Sequence, residues 1–177
     1  MFKTYDPAVI ANSFLKFARG YGKDYYIGQM KLQRLVYFAH GWSYNKGADN
    51  GLINVPFQAM PYGPVCLDIY QQTTRFGSKK IEPHFQLSYI DDNLEIKKEF
   101  LDPRSREDDK QAFDVVKEIW EEYLNVESSR MSELTHEKDS PWYKTWNKPE
   151  NAAGKKYREI PEELIKDYFQ KIEKLPK

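Results

Sequence analysis

A mainly α fold, one compact helical domain carrying a small antiparallel β element (α+β on a strict reading), is what this 177-residue sequence predicts. Three observations lead there. Apolar residues recur at three- and four-residue spacing through several long stretches, the mark of helices with one buried face. Asp6-Pro7 and Ser140-Pro141 pair a capping side chain with a proline suited to the first helical turn. Alternation at period two is confined to short runs, chiefly Leu87, Tyr89, Leu94 and Ile96 around Asp91-Asp92-Asn93. The length fits a single domain over 1–177, with 148–177 as a C-terminal loop and helix, and a chain of this size buries about two thirds of its unfolded surface.

The first helix starts at Asp6-Pro7, carries Ile10, Phe14 and Phe17 on one face, and stops at Gly20-Tyr21-Gly22. A polar link, Lys23 to Tyr26, leads to the central helix, Gln29 to Gly47. There Leu32, Leu35, Val36, Ala39 and Trp42 form one apolar stripe, and Gly47 is the natural stop. From Ala48 to Met60 the residues Leu52, Ile53, Val55 and Phe57 with Pro56 suit a loop with one edge strand. Tyr62-Gly63-Pro64-Val65 reads as a tight turn feeding a third helix, Pro64 to Phe76, that buries Val65, Ile69, Tyr70, Thr73 and Phe76.

A hairpin is expected within Ile81 to Leu101, then an exposed charged loop, Asp102 to Asp109. A fourth helix, Lys110 to Leu124, follows with Phe113, Val116, Trp120, Tyr123 and Leu124 inward. Two short helices come next, one ending at His136 and one bearing Trp142 and Trp146. After a polar loop, Lys148 to Arg158, Ile160-Pro161-Glu162-Glu163 opens a last helix with Leu164, Tyr168, Phe169 and Ile172, its acids in the favourable first turn.

Twenty-seven basic and 27 acidic residues give a formal charge of zero, so the one-signed field of a nucleic-acid or anionic-membrane binder is missing. Nucleic acid and membrane are therefore not expected as partners. The single cysteine, Cys66, excludes an internal disulfide, and no run approaches the ~20 apolar residues of a bilayer span; the chain reads as cytoplasmic. Aromatics make up 15% of the residues, with 13 tyrosines, enough for a large core and for amphipathic side chains able to hold a partner.

Patterns that carry catalysis are missing at usable spacing. His40, His84 and His136 are scattered, with neither HExxH nor a Cys/His cluster to hold zinc. No phosphate-cradling glycine motif and no GxSxG elbow occur, and the paired carboxylates sit in turns or on solvated helix faces. No metal, cofactor or catalytic residue is expected, and the chain reads as a binding protein rather than an enzyme. A small enzyme using His136 or Cys66 is kept as the contrary reading.

Four blocks, in order, resemble the Panacea antitoxin domain, the SocA-like family that includes phage-associated GepA-like proteins. They are Lys31-Leu32-Gln33-Arg34-Leu35-Val36-Tyr37-Phe38-Ala39, Tyr62-Gly63-Pro64-Val65, Leu134-Thr135-His136 and Pro141-Trp142, and the likeness runs from about Asp6 to Trp146. Met60 stands where that family often carries tryptophan. The resemblance implies an antitoxin of a toxin–antitoxin system, encoded beside a toxin gene in bacteria, archaea or their phages and prophages. Its partner would be a cognate protein toxin, a translation-inhibiting enzyme among the types such families meet, neutralised by direct protein–protein binding. The alternative is a proteolytic adaptor that delivers the toxin to an ATP-dependent protease, and homo-oligomers are left open.

The motif residues Lys31, Leu32, Arg34, Tyr37, Trp42, Tyr62, Gly63, Pro64, Val65, His136 and Trp142 have two readings, scaffold or toxin contact. Lys31, Gln33 and Arg34 are read as surface residues flanking the stripe, and Tyr37 and Trp42 as core. The turn between the two short helices is expected to bring His136 beside Trp142. The segments Ala48 to Phe57 and Ile81 to Asp109 are expected to discriminate partners, because loops change without disturbing a core.

Overall fold

The computed structural model describes residues 2–22, 25, 27–148 and 158–177. Among these, seven α-helices and five short strands follow in the order α1 (Pro7–Tyr21), α2 (Gln29–Asn45), β1 (Phe57–Met60), β2 (Gly63–Cys66), α3 (Leu67–Thr73), β3 (Tyr89–Ile90), β4 (Ile96–Lys97), α4 (Lys110–Tyr123), α5 (Ser128–Thr135), α6 (Pro141–Trp146), β5 (Arg158–Glu159) and α7 (Glu162–Lys171). The architecture is the mainly α one expected. No helix among the described residues is long and apolar enough to cross a membrane.

The architecture is arranged around α2. It touches α1, α3, α4, α5, α7 and β2, and every residue from Leu32 to Tyr44 is buried. A helix enclosed on all sides must satisfy its polar side chains internally. Ser43 bonds back to the His40 carbonyl at 2.6 Å, and Gln33, Arg34 and His40 reach other segments, as described below. Gly41 lets α7 approach: an added Cβ would sit 2.2 Å from the Phe169 ring. Phe169 in turn packs edge-on to Tyr37 and Phe38, and Phe38 stacks on Tyr123 of α4. Each aromatic of this kind contributes about 1.5–3 kcal/mol by burial.

Helix α1 begins as expected, with the Asp6 carboxylate accepting the Ala8 N–H at 2.9 Å and Pro7 in the first turn. Its buried Asn12 fixes the segment after α3, donating to the carbonyls of Leu87 and Glu99 and accepting from the Leu87 N–H. Ser13 accepts the Leu101 N–H at 2.9 Å. Two short polar side chains on one helix face thus anchor both stems of the β3–β4 hairpin.

Several expectations are corrected. Gly63 to Cys66 is a strand and not the start of a helix; α3 begins only at Leu67. Pro64 has no N–H, but β2 is an edge of the three-stranded antiparallel sheet ordered β2-β1-β5, a place in a sheet that tolerates proline. β1 is accordingly the centre of that sheet and not an edge, because Arg158, expected at the end of a loop, and its neighbour Glu159 pair with Ala59 and Gln58. The rest of that loop, 149–157, and residues 23, 24 and 26 of the first link lie outside the described residues.

The hairpin strands are only two residues each, with Leu87 in the core and Leu94 at the exposed turn. The charged loop before α4 is not wholly exposed: Asp109 is buried, accepting from the Tyr5 hydroxyl at 3.1 Å and the Asp102 N–H at 3.0 Å. On α7 the buried positions are Ile165 and Phe169, one residue round from the expected Leu164, because the Gly41 notch selects Phe169. The segment Ala48 to Phe57 is largely core, with Leu52, Ile53 and Phe57 buried.

Candidate functional site

The first helical turns of α2 carry Lys31, Gln33 and Arg34, and none is an ordinary surface residue. Lys31 is half-buried and donates to the carbonyls of Leu124 and Val126 at 2.8 and 2.9 Å, capping the C-terminal end of α4 where exposed carbonyls attract a cation. Burial lowers its pKa, opposed by Glu127. Gln33 uses both ends of its amide on one residue, accepting the Cys66 N–H at 2.9 Å and donating to the Cys66 carbonyl at 3.0 Å. It acts as a short extra strand for the end of β2.

Arg34 is 1% exposed and has no carboxylate partner among the described residues. Its guanidinium donates to the carbonyls of Tyr62 and Pro64 and to the Ser132 hydroxyl, the last at 3.2 Å. Burial pulls its pKa down to about 10, so the group remains charged at neutral pH. A cation held only by neutral acceptors is demanding, because desolvation is opposed by dipoles rather than by a full opposite charge. The planar fork supplies what a lysine ammonium would not: parallel N–H groups that reach two carbonyls of one turn.

That turn is the two-residue connection Pro61-Tyr62 between β1 and β2. Gly63 has φ +116°, and an added Cβ would lie 2.7 Å from Thr135 Oγ1 and 2.8 Å from Arg34 Nη2. Glycine is required on both counts, conformation and space. The Trp142 indole N–H donates to the Met60 carbonyl at 2.8 Å, so the turn is fixed from below by Arg34 and from the side by α6. Its tip, the Tyr62 side chain, is 70% exposed.

The α5–α6 junction is set by short polar bonds. Ser140 caps α6 by accepting the Tyr143 N–H and donates to the Thr135 carbonyl, while Thr135 donates to Ser132. The tight turn between them places Asp139 at φ +75°. His136 then lies on Trp142, ring centroids 3.9 Å apart, Trp142 lies on Trp146 at 5.3 Å, and the Arg158 guanidinium covers Trp146 at 4.6 Å. Burial, and then the nearby Arg34 charge, lowers the His136 pKa, so the imidazole in the stack is neutral at pH 7.

Residues 34, 62–64, 135–136 and 142 therefore meet in one place, though they are spread over a hundred positions of sequence. The other motif residues lie elsewhere. Leu32 and Val65 are core, Tyr37 packs edge-on to Phe57 and Phe169, and Trp42 is buried at the far end of α2 with the Lys46 ammonium 5.1 Å from its ring. Burial pushes the Cys66 thiol up to about 12, so a reactive thiolate is disfavoured there.

A second polar cluster was not foreseen. His40 is buried, accepts the Leu52 and Ile53 N–H groups at Nδ1, and donates its Nε2–H to the Glu162 carboxylate at 2.6 Å. The same Glu162 oxygen accepts the Tyr44 hydroxyl at 2.5 Å. His40 and Glu162 are 122 positions apart, and no spacing rule relates them. These bonds hold Glu162 below the usual carboxylate range despite its burial, and they tie α7 to α2.

Comparison with known proteins bears on the site. The family model described as antitoxin SocA-like, Panacea domain, matches residues 32–143, which contain Arg34, the β1–β2 turn, His136 and Trp142. The chain is also similar to the antitoxin SocA of Caulobacter vibrioides (strain NA1000 / CB15N), 28% identical over 174 residues, covering 93% of this chain and 82% of that protein. No solved structure matches it.

Proposed function

Because the chain belongs to the SocA-like antitoxin family that carries the Panacea domain, we propose that it is the antitoxin of a toxin–antitoxin pair and neutralises its toxin by binding it directly. The family match carries this reading, and the convergence of the motif blocks supports it. Arg34, Gly63 and Trp142 hold a turn whose tip is an exposed tyrosine, and a rigid aromatic anchor loses little conformational entropy when it seats in a partner's pocket. In this proposal Tyr62 and the rim of the His136–Trp142 stack touch the toxin. Arg34, Gly63 and Pro64 position them, and Leu32, Tyr37, Trp42 and Val65 maintain the scaffold.

The test is growth of cells expressing the protein encoded next to this chain, with and without this chain, scored together with co-purification. Neutralisation by contact predicts that the neighbour is toxic alone and harmless in a stable complex. It also predicts that Tyr62→Ala loses at least tenfold in affinity with an unchanged melting temperature. A harmless neighbour, or rescue without a complex, overturns the proposal. The half-life of the toxin separates blocking from delivery to a protease: a blocker leaves the toxin long-lived and silent, whereas an adaptor shortens its life.

A further inference from the structure

The β3–β4 hairpin is inside-out. Register pairs Ile90 with Ile96 and Tyr89 with Lys97. The isoleucines face solvent, 67% and 73% exposed, while Tyr89 and Lys97 are the more covered pair. Leu94 at the turn is 86% exposed and holds φ +62°, a conformation that glycine, asparagine or aspartate adopts far more readily. Three branched aliphatics thus form one outward face at a place where local rules call for polar residues, the pattern of a contact surface rather than of a solvated turn.

The loop that follows this finger, Leu101 to Arg104, lines its chemical complement. The groove between α1 and α4, about 580 Å³, is floored by Phe17, Phe113 and Trp120, with Phe17 tilted on Phe113 at 5.5 Å and stacked on Trp120 at 6.0 Å, and with Lys16 and Arg104 on its rim. Neither rim cation makes an ion pair with a described residue, although the Lys16 ammonium lies 3.5 Å over the Phe100 ring; Asp102 accepts the Arg104 backbone N–H, and the rim's Lys117 and Glu121 pair with each other at 3.7 Å. The finger's turn carries Asp91, Asp92 and Glu95. Lys97 pairs with the first and third, leaving Asp92 without an ion-pair partner among the described residues.

We propose that the occupant of the groove is a second copy of this chain: the Leu94 finger of each protomer seats on the aromatic floor of the other, with Asp92 meeting Lys16 and Arg104. Both features are rooted in α1, the finger through Asn12 and the groove through Ser13 and its bond to Leu101. A two-fold axis beside that shared stem exchanges the fingers and closes the contact. Three aliphatic side chains alone fall short of the roughly 800 Å² that each partner of a stable complex buries, and reciprocal exchange doubles the contact. The proposed contact does not include Tyr62, His136 or Trp142, the residues proposed above to touch the toxin.

Sedimentation equilibrium of the full chain tests this. Dimer at about 100 μM is expected for the wild type. Leu94→Asp should weaken association at least tenfold while leaving the circular dichroism melt unchanged, since aspartate suits that backbone conformation. Arg104→Glu should weaken it about fivefold, and the chain carrying Lys16→Glu and Arg104→Glu together with Asp92→Arg should regain it. A wild type that is monomeric at every concentration, a dimer indifferent to Leu94→Asp, or a charge-reversed chain that stays monomeric overturns the proposal.

Discussion

The buried turn around Arg34 and the exposed β3–β4 hairpin are both two-stranded turns, and each violates residue-type expectation in the opposite sense. One buries a guanidinium; the other exposes two isoleucines and a leucine. The first is stable because the backbone itself supplies acceptors. Two carbonyls of a tight turn point inward, and the planar cation joins them to Ser132. The second is permitted because its stems, and not its apolar face, hold it: Asn12, Ser13 and the Tyr89 hydroxyl donating to the Glu99 carboxylate at 2.9 Å do that from below. Polarity sets the location of a side chain only when no specific partner overrides it.

That contrast can be broken from either side, most severely at the buried cation. Arg34→Met keeps much of the volume but leaves the Tyr62 and Pro64 carbonyls and the Ser132 hydroxyl without their donor. About 3–5 kcal/mol of stability should be lost, read from urea denaturation. Gly63→Ala follows, at roughly 2–4 kcal/mol, because the methyl group meets Thr135 and Arg34 and the backbone holds a positive φ. Trp142→Phe keeps the stack on His136 but removes the donor to Met60, and about 1 kcal/mol should go.

The pH dependence sharpens the comparison further. His136 has a folded pKa below its unfolded value of about 6.5, so the unfolded chain binds more protons as the pH falls through that region. Its contribution to stability is complete above pH 6.5 or so and declines as the pH falls toward the lowered folded value. His136→Phe should flatten the stability profile in that window. Glu162, also lowered, acts in the same direction only below about pH 4.5, and the variant should leave that limb in place. The smallest effect belongs to the hairpin: Leu94→Ser should change the stability of the isolated protomer by no more than about 0.5 kcal/mol.

The capped starts of α1 and α6 and the span of α4 were legible because each depends on neighbours within a turn or two: Asp6 before Pro7, Ser140 before Pro141, an apolar stripe at helical spacing. The placement of Gly63-Pro64 was misread for the same reason. Glycine followed by proline suits a helix start locally, and only pairing with β1 makes it a strand. Arg34 looked like a surface residue because its acceptors lie 28 and 30 positions away on a backbone whose direction the sequence does not state.

By itself, then, the sequence determined the helical class, the main helices and their inward stripes, and the motif blocks that mark the family, all of which rest on local periodicity, capping and order along the chain. Only the tertiary structure decided that those blocks meet around one buried guanidinium, that His40 and Glu162 join across 122 positions, and that the loop after an aliphatic finger lines an aromatic groove. Such long-range pairings depend on how packed elements are oriented in space, and residue spacing carries no record of that orientation.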